Sequence, residues 1–226
     1  MRLESVRRTN LERVLVRCLI AVTLVSLGSE FRPSLARGAD AVAISSQMPK
    51  RHAIMRMFSG DLNLDGRPDV LVLLRSWDEA SNGDLLRPLL IFVRGSSGSL
   101  RRVARADHVV ACRNCGGLAG DPWRREHGQP AFVTIKNSVF SLHEFAGSGW
   151  RGWTRASFKY EPREVRWALL GCRNKVFSVD HDFPEDVYVS DRDNFGRIWL
   201  EEFGNLRGCW SKIPEPKPIY NLAPKN

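Results

Sequence analysis

Beyond residue 50 the apolar residues fall into short runs broken by turn-forming residues, and no segment of 50–226 carries a strong 3.6-residue period. That pattern predicts strands joined by turns. Val70–Leu74 and Leu89–Val93 are apolar at every position, as expected of strands covered on both faces. Ser96–Ser99 links the second run to a strand over Leu100–Ala106, a hairpin signal. Ala131–Lys136 and Val139–Phe145 flank Asn137-Ser138 and form another hairpin. Glu161–Glu164 turns the chain from the long strand Trp150–Tyr160 into Val165–Leu170, and Val187–Val189 and Arg197–Phe203 read as further short strands. Three prolines, Pro214, Pro216 and Pro218, make 213–226 an extended tail. The expected fold class is all-β over 37–212: an antiparallel meander, propeller-blade-like or a two-sheet sandwich.

Alternation within Trp150–Tyr160 separates two faces. Trp150, Gly152, Thr154, Ala156, Phe158 and Tyr160 form an expected core face; Arg151, Trp153, Arg155, Ser157 and Lys159 form a basic face with one tryptophan. Arg151, Trp153 and Arg155 are therefore a candidate binding face, since an indole among cations can stack on a ring, a sugar or a partner's side chain. The other reading is that Trp153 is half buried beneath its neighbours' arginine stems.

Residues 1–36 differ from the rest. Five arginines between Arg2 and Arg17 precede the uncharged run Cys18–Leu27, too short to span a bilayer and suited to a signal-peptide core. Ser34-Leu35-Ala36 and Ala39-Asp40-Ala41 supply small residues for cleavage. A short N-terminal anchor is the rival reading. The expected location is periplasmic or secreted. Removing residues 1–36, with six Arg and three Glu, lowers the formal charge from +9 to about +6. The remaining excess is scattered, without a run of five like charges or a nucleic-acid motif, so a solvated basic surface, or one that attracts anionic polymers, is expected and nucleic acid is not. With 226 residues, 43% of them hydrophobic and 26% charged, the composition excludes disorder, and no apolar run is long enough for a membrane span in the mature chain.

Four cysteines follow Cys18: Cys112, Cys115, Cys172 and Cys209. An even number in an exported chain suggests disulfides, with Cys112–Cys115 and Cys172–Cys209 the natural pairing. A four-thiolate zinc site is the rival, but only Cys112-Arg-Asn-Cys115 has the short ligand spacing. A redox Cys-x-x-Cys at a helix start fits poorly, because Gly116-Gly117 follows at once.

One motif is specific. Gly60-Asp61-Leu-Asn63-Leu-Asp65-Gly66-Arg67-Pro-Asp69 places oxygen donors at positions 1, 3, 5 and 9 counted from Asp61, with Gly66 at the tight turn and the Arg67 carbonyl available at position 7. Carboxylates so crowded repel unless a hard cation neutralises them, and this donor set suits Ca²⁺. Position 12 is Val72 and a strand follows, so the motif is not an EF-hand. The metal-free alternative is an Asx-rich turn held by side-chain to backbone bonds. The run Gly60–Leu74 resembles the FG-GAP or VCBS-type repeat, the calcium loop of integrin-type propeller blades. That resemblance covers about fifteen residues, has no second copy here, and implies Ca²⁺ ligation by Asp61, Asn63, Asp65 and Asp69. More widely, the loop is followed by Arg87-Pro88-Leu-Leu-Ile91, Cys112-x-x-Cys-Gly-Gly117 and Gly120-Asp121-Pro122. Further on come Gly147-Ser148-x-Trp150-Arg151-x-Trp153-x-Arg155 and Asn194-Phe195-Gly196. Together these resemble a group of uncharacterised exported bacterial proteins with a single such loop, which implies export and an all-β fold and brings no activity.

The five histidines form no ligand pair of H-x-x-x-H type, and no serine sits in a G-x-S-x-G elbow. Asp180-His181-Asp182 with Glu185 and Asp186 is a polar cluster that could bind metal or supply an acid–base pair, but its Pro184 and its charges fit a solvated turn better. No catalytic residue is assigned. The expected function is an exported, non-enzymatic binding module with a structural calcium loop and an envelope or extracellular partner. A hydrolase acting on an envelope polymer or polysaccharide is the alternative.

Overall fold

In the computed structural model of the chain, the described residues are 38–123, 132–178, 186–191, 196–204 and 209, all within the compact unit Ser34–Asn226. The expected signal segment 1–36, the tail 213–226 and the cluster 180–185 lie outside them. Among the described residues, nine strands form two antiparallel sheets, each with its strands in chain order. The first holds β1 (His52–Gly60), β2 (Asp69–Ser76), β3 (Arg87–Arg94) and β4 (Leu100–Val110). The second holds β5 (Val133–Lys136), β6 (Val139–Gly147), β7 (Trp150–Glu161), β8 (Arg166–Ser178) and β9 (Asp186–Asp191). The all-β, two-sheet expectation holds.

The apolar runs in β2 and β3 have two coverings. Leu71, Leu73, Leu89 and Ile91 join Phe140, Leu142, Ala156, Phe158, Trp167 and Leu169 of the second sheet in one core. Their alternate neighbours Val70, Val72, Leu74, Leu90 and Phe92 face the other way and pack with Ile44 in a second core. Ile44 belongs to a helix, α1 (Gly38–Ser45), inside the region expected to be purely β. Its alanines favour helix, and burying Ile44 completely gives it tertiary support that eight residues could not find alone. Asp40, in its first turn, pairs bidentately with Arg94 at 2.8 and 2.9 Å. Just beyond it, the Gln47 amide donates to the Leu100 carbonyl and accepts the Arg102 N–H, satisfying backbone on the edge strand β4.

The sheets meet where β1 approaches β5. A Cβ on Gly60 would lie 2.6 Å from Ile135 Cγ2, so this approach requires glycine. The β5–β6 hairpin turns at Asn137 and Ser138, both with positive φ, as a two-residue turn demands. Elsewhere the structure corrects the sequence reading. Val165 is not strand: it sits in the turn with φ 54° and 59% exposure, and β8 runs on to Ser178. Arg197–Phe203 is not a strand either; it makes one bridge, Trp199 to Ala168, and then a short 3₁₀ turn, Leu200–Glu202. β4 extends to Val110. Among the described residues no helix is long and apolar enough to cross a membrane.

Candidate functional site

The acidic loop joins β1 to β2, and its side chains organise its own backbone. Asp61 accepts N–H groups from Asn63, Leu64 and Gly66 at 2.8–3.2 Å. Asn63 accepts from Asp65, and Asp65 accepts from the Arg67 N–H at 2.9 Å. Asp69 is fully buried; one carboxylate oxygen takes the Leu62 N–H at 3.0 Å and the other the Arg94 N–H at 2.9 Å. Burial, assisted by the charges of Asp65 and Asp61, pushes the Asp69 carboxyl above the usual carboxylate range despite these bonds. For Asp65, burial also pulls upward, but bonds from Asn63 and Arg67 and the Arg67 charge outweigh it and lower its pKa. The Arg67 guanidinium lies 2.7 Å from Asp65 and also donates to the Arg94 carbonyl.

The donor set fits a hard cation: all oxygen, with mutually repelling charges. Each Asp oxygen that accepts one N–H keeps another lone pair. The competitor is Arg67, which already neutralises Asp65, and among the described residues no three His, Cys, Asp or Glu side chains converge as a metal cage. The resemblance-derived ligands Asp61, Asn63, Asp65 and Asp69, with Arg67, thus share one loop, arranged as a hydrogen-bonded Asx turn.

The second sheet presents the expected basic face. Register pairs Phe145 with Trp153 and Lys175, His143 with Arg155 and Arg173, and Gly147 with Arg151 and Phe177. Phe145 packs against Trp153 with ring centroids 4.5 Å apart and against Phe177 at 6.3 Å. Trp153 is accordingly half-buried within an aromatic row, not standing free. Arg151 is half-buried and donates to the Ser148 carbonyl, whereas Arg155 and Arg173 are exposed. Burial and then the Arg155 charge lower His143 to about 4. On the opposite face Gly152, Thr154, Ala156 and Phe158 are buried as expected, but Trp150 is 56% exposed because the strand tip overruns the core.

Cys112–Cys115 and Cys172–Cys209 are disulfides, with Cα separations of 5.0 and 5.8 Å. Such bonds belong to a chain matured in an oxidising environment. The Cys112–Cys115 loop borders a cavity of about 540 Å³ lined by Glu144, Thr154 and Trp150 among others. Glu144 and Thr154 are buried and opposite one another on β6 and β7.

A further polar centre escaped the sequence reading. Arg87, 2% exposed, donates Nε to Glu79 and both terminal nitrogens to Asp121 at 2.7 and 2.8 Å. Burial alone would depress its pKa; the hydrogen bonds and charges of Asp121 and Glu79 overcome that and raise it. Asp121 also accepts the Trp123 N–H at 3.0 Å, so one carboxylate ties β3 to the loop after the first disulfide. The signal was present in the wider resemblance, which includes both Arg87-Pro88 and Gly120-Asp121-Pro122. Comparison with protein-family models, with curated proteins and with solved structures finds no match for this chain.

Proposed function

We propose that this protein is an exported, non-enzymatic binding module that contacts an anionic envelope or extracellular partner through the outer face of its second sheet. One observation carries the reading. Arg155 and Arg173 face each other in register, exposed and with no carboxylate partner among the described residues, beside the row Phe145–Trp153–Phe177. A flat surface of aromatic rings flanked by cations suits a polymer carrying negative charge along its length. Export to the periplasm or medium agrees with the two disulfides and with the arginine-flanked apolar run near the N-terminus. In this reading Ca²⁺, held by Asp61, Asn63, Asp65, Asp69 and the Arg67 carbonyl, stiffens the β1–β2 loop, and Arg67 releases Asp65 when the ion binds.

Retention on immobilised dextran sulfate tests the surface. The wild type is expected to elute at higher salt than Arg155→Glu/Arg173→Glu, while Lys50→Glu/Arg101→Glu, the same charge change in the turn before β1 and on β4, should lower elution much less. Equal loss in both variants would reduce the attraction to net charge and sink the reading. Thermal melts with millimolar calcium and with chelator test the loop. Mass action gives about 2.7 kcal/mol when calcium stands at a hundred times its dissociation constant, a gain that Asp65→Ala should abolish. A chelator-insensitive wild type would leave the loop a metal-free Asx turn.

A further inference from the structure

A second cavity, of about 970 Å³, opens on the first sheet, where the β1 bulge meets the disulfide loop. Its wall is rich in hydrogen-bond donors. Four arginines line it, Arg56, Arg75, Arg87 and Arg113, against two carboxylates, Glu79 and Asp121. Both carboxylates are engaged by Arg87. Arg56, Arg75 and Arg113 are exposed and make no ion pair among the described residues, so no described carboxylate cancels their charges.

The three are held by different elements. Met55 is the extra residue of the bulge between Ile54 and Arg56, and bulges re-aim the side chains beside them. Arg56 lies over the Phe132 ring, 5.9 Å from its centroid, and Phe132 packs against Trp123 at 5.5 Å. Arg75 sits across from Ala53 on β2. Arg113 belongs to the loop closed by Cys112–Cys115, whose Asn114 N–H bonds to the Gly83 carbonyl at 3.0 Å. That loop folds tightly: a Cβ on Gly116 would collide with the Gly120 carbonyl oxygen.

A second, independent observation points to a ligand. Trp123 lines this cavity and is 4% exposed, yet its indole Nε1 has no hydrogen-bond partner among the described residues. A buried N–H without an acceptor costs free energy that a bound acceptor would recover. Three uncompensated guanidinium groups and one orphaned N–H are all donors; what they lack is an oxyanion. We infer that this cavity binds a small soluble ligand through a phosphate or carboxylate group, gripped by Arg56, Arg75 and Arg113 and accepting the Trp123 indole N–H. Planar guanidinium forks match both oxyanions bidentately, and the volume leaves room for a body larger than the anion itself.

The test is calorimetric titration at constant ionic strength with pyrophosphate and, separately, with citrate, chloride serving as the inert control, together with ¹⁵N spectra of the tryptophan indoles. At least one probe is expected to bind saturably at one site and to shift the indole signal that disappears in Trp123→Phe. Whichever probe binds more tightly assigns the group as phosphate or carboxylate. Arg75→Gln and Arg113→Gln should each weaken binding at least tenfold. Both side chains are exposed and unpaired, so these variants should fold, and unchanged melting would confirm it. Arg155→Gln, on the other sheet, should leave binding as it was. Failure of both probes to saturate, or affinity unchanged in the two arginine variants, would overturn the inference.

Discussion

Trp167 donates its indole N–H to the backbone carbonyl of Leu62 at 3.0 Å, across 105 residues of sequence. Leu62 lies inside the acidic loop and Trp167 on β8, and both are buried. The bond therefore fastens the β1–β2 loop of one sheet to the body of the other. Tyr160, its ring tilted against Trp167 with centroids 5.0 Å apart, is drawn into the same region: burial, then the charges of Asp65 and Asp69, raise its phenol pKa. Trp167→Phe keeps an aromatic ring but leaves a buried carbonyl unpaired, which should cost about 1–3 kcal/mol. Urea denaturation measures the loss; an unchanged midpoint would show that the bond contributes nothing net.

The Arg87 network makes an asymmetric prediction. Arg87→Met strands Glu79, itself 6% exposed, as an uncompensated buried charge, for a loss of about 3–5 kcal/mol. Combining it with Glu79→Gln removes the stranded charge and should restore part of that loss, even though it deletes a further native group. Equilibrium unfolding of both single variants and the double variant measures the coupling; strict additivity would contradict it.

At the joint between the sheets, Gly60→Ala places a methyl 2.6 Å from Ile135 Cγ2 and should destabilise by about 1–3 kcal/mol. Ile135→Ala opens that space. The double variant is expected to be more stable than the sum of the single losses allows, as read from thermal melts.

His143 gives the pH dependence a sign. With its pKa lowered from 6.5 to about 4, the unfolded chain binds more protons at this residue than the folded one between those values. Stability from this group is therefore complete above about pH 6.5 and is lost as pH falls toward 4. Melting temperatures should decline from pH 7 to pH 5 less steeply in His143→Gln than in the wild type. NMR titration of the wild-type imidazole should find its midpoint well below 6; a midpoint near 6.5 would refute the assignment.

The ion pair of Asp40 with Arg94 discriminates between the two expected cleavage points. Cleavage after Ala36 keeps its partly buried pair with Arg94, whereas cleavage after Ala41 removes it and the first turn of α1. A chain starting at Arg37 should be about 1.5–3 kcal/mol more stable than one starting at Val42, the range for hydrogen bonds between charged groups. Mass spectrometry of protein recovered from its native host should find Arg37 first; Val42 would show that the pair is dispensable.

The elements the sequence determined by itself are those with local causes. Alternation along Trp150–Tyr160 sorted its faces because side chains on a strand point to opposite sides whatever covers them. The turn at Asn137-Ser138 was legible because only those two residues need positive φ. The acidic loop was legible because Asp61, Asn63 and Asp65 bond to backbone within the loop itself, and the disulfides because four cysteines allow few pairings. Tertiary structure decided what no local pattern holds. Trp150 follows the core-facing parity and is nonetheless 56% exposed, because burial depends on what the tertiary structure lays opposite a side chain and not on parity. Gly38–Ser45 is helical and buries Ile44 because the outer face of β2 and β3 is there to receive it. Arg87 finds its carboxylates 8 and 34 residues away, and Trp167 its carbonyl 105 away. Ion pairs and hydrogen bonds act over a few ångströms of space, and only the folded chain brings such distant residues that close.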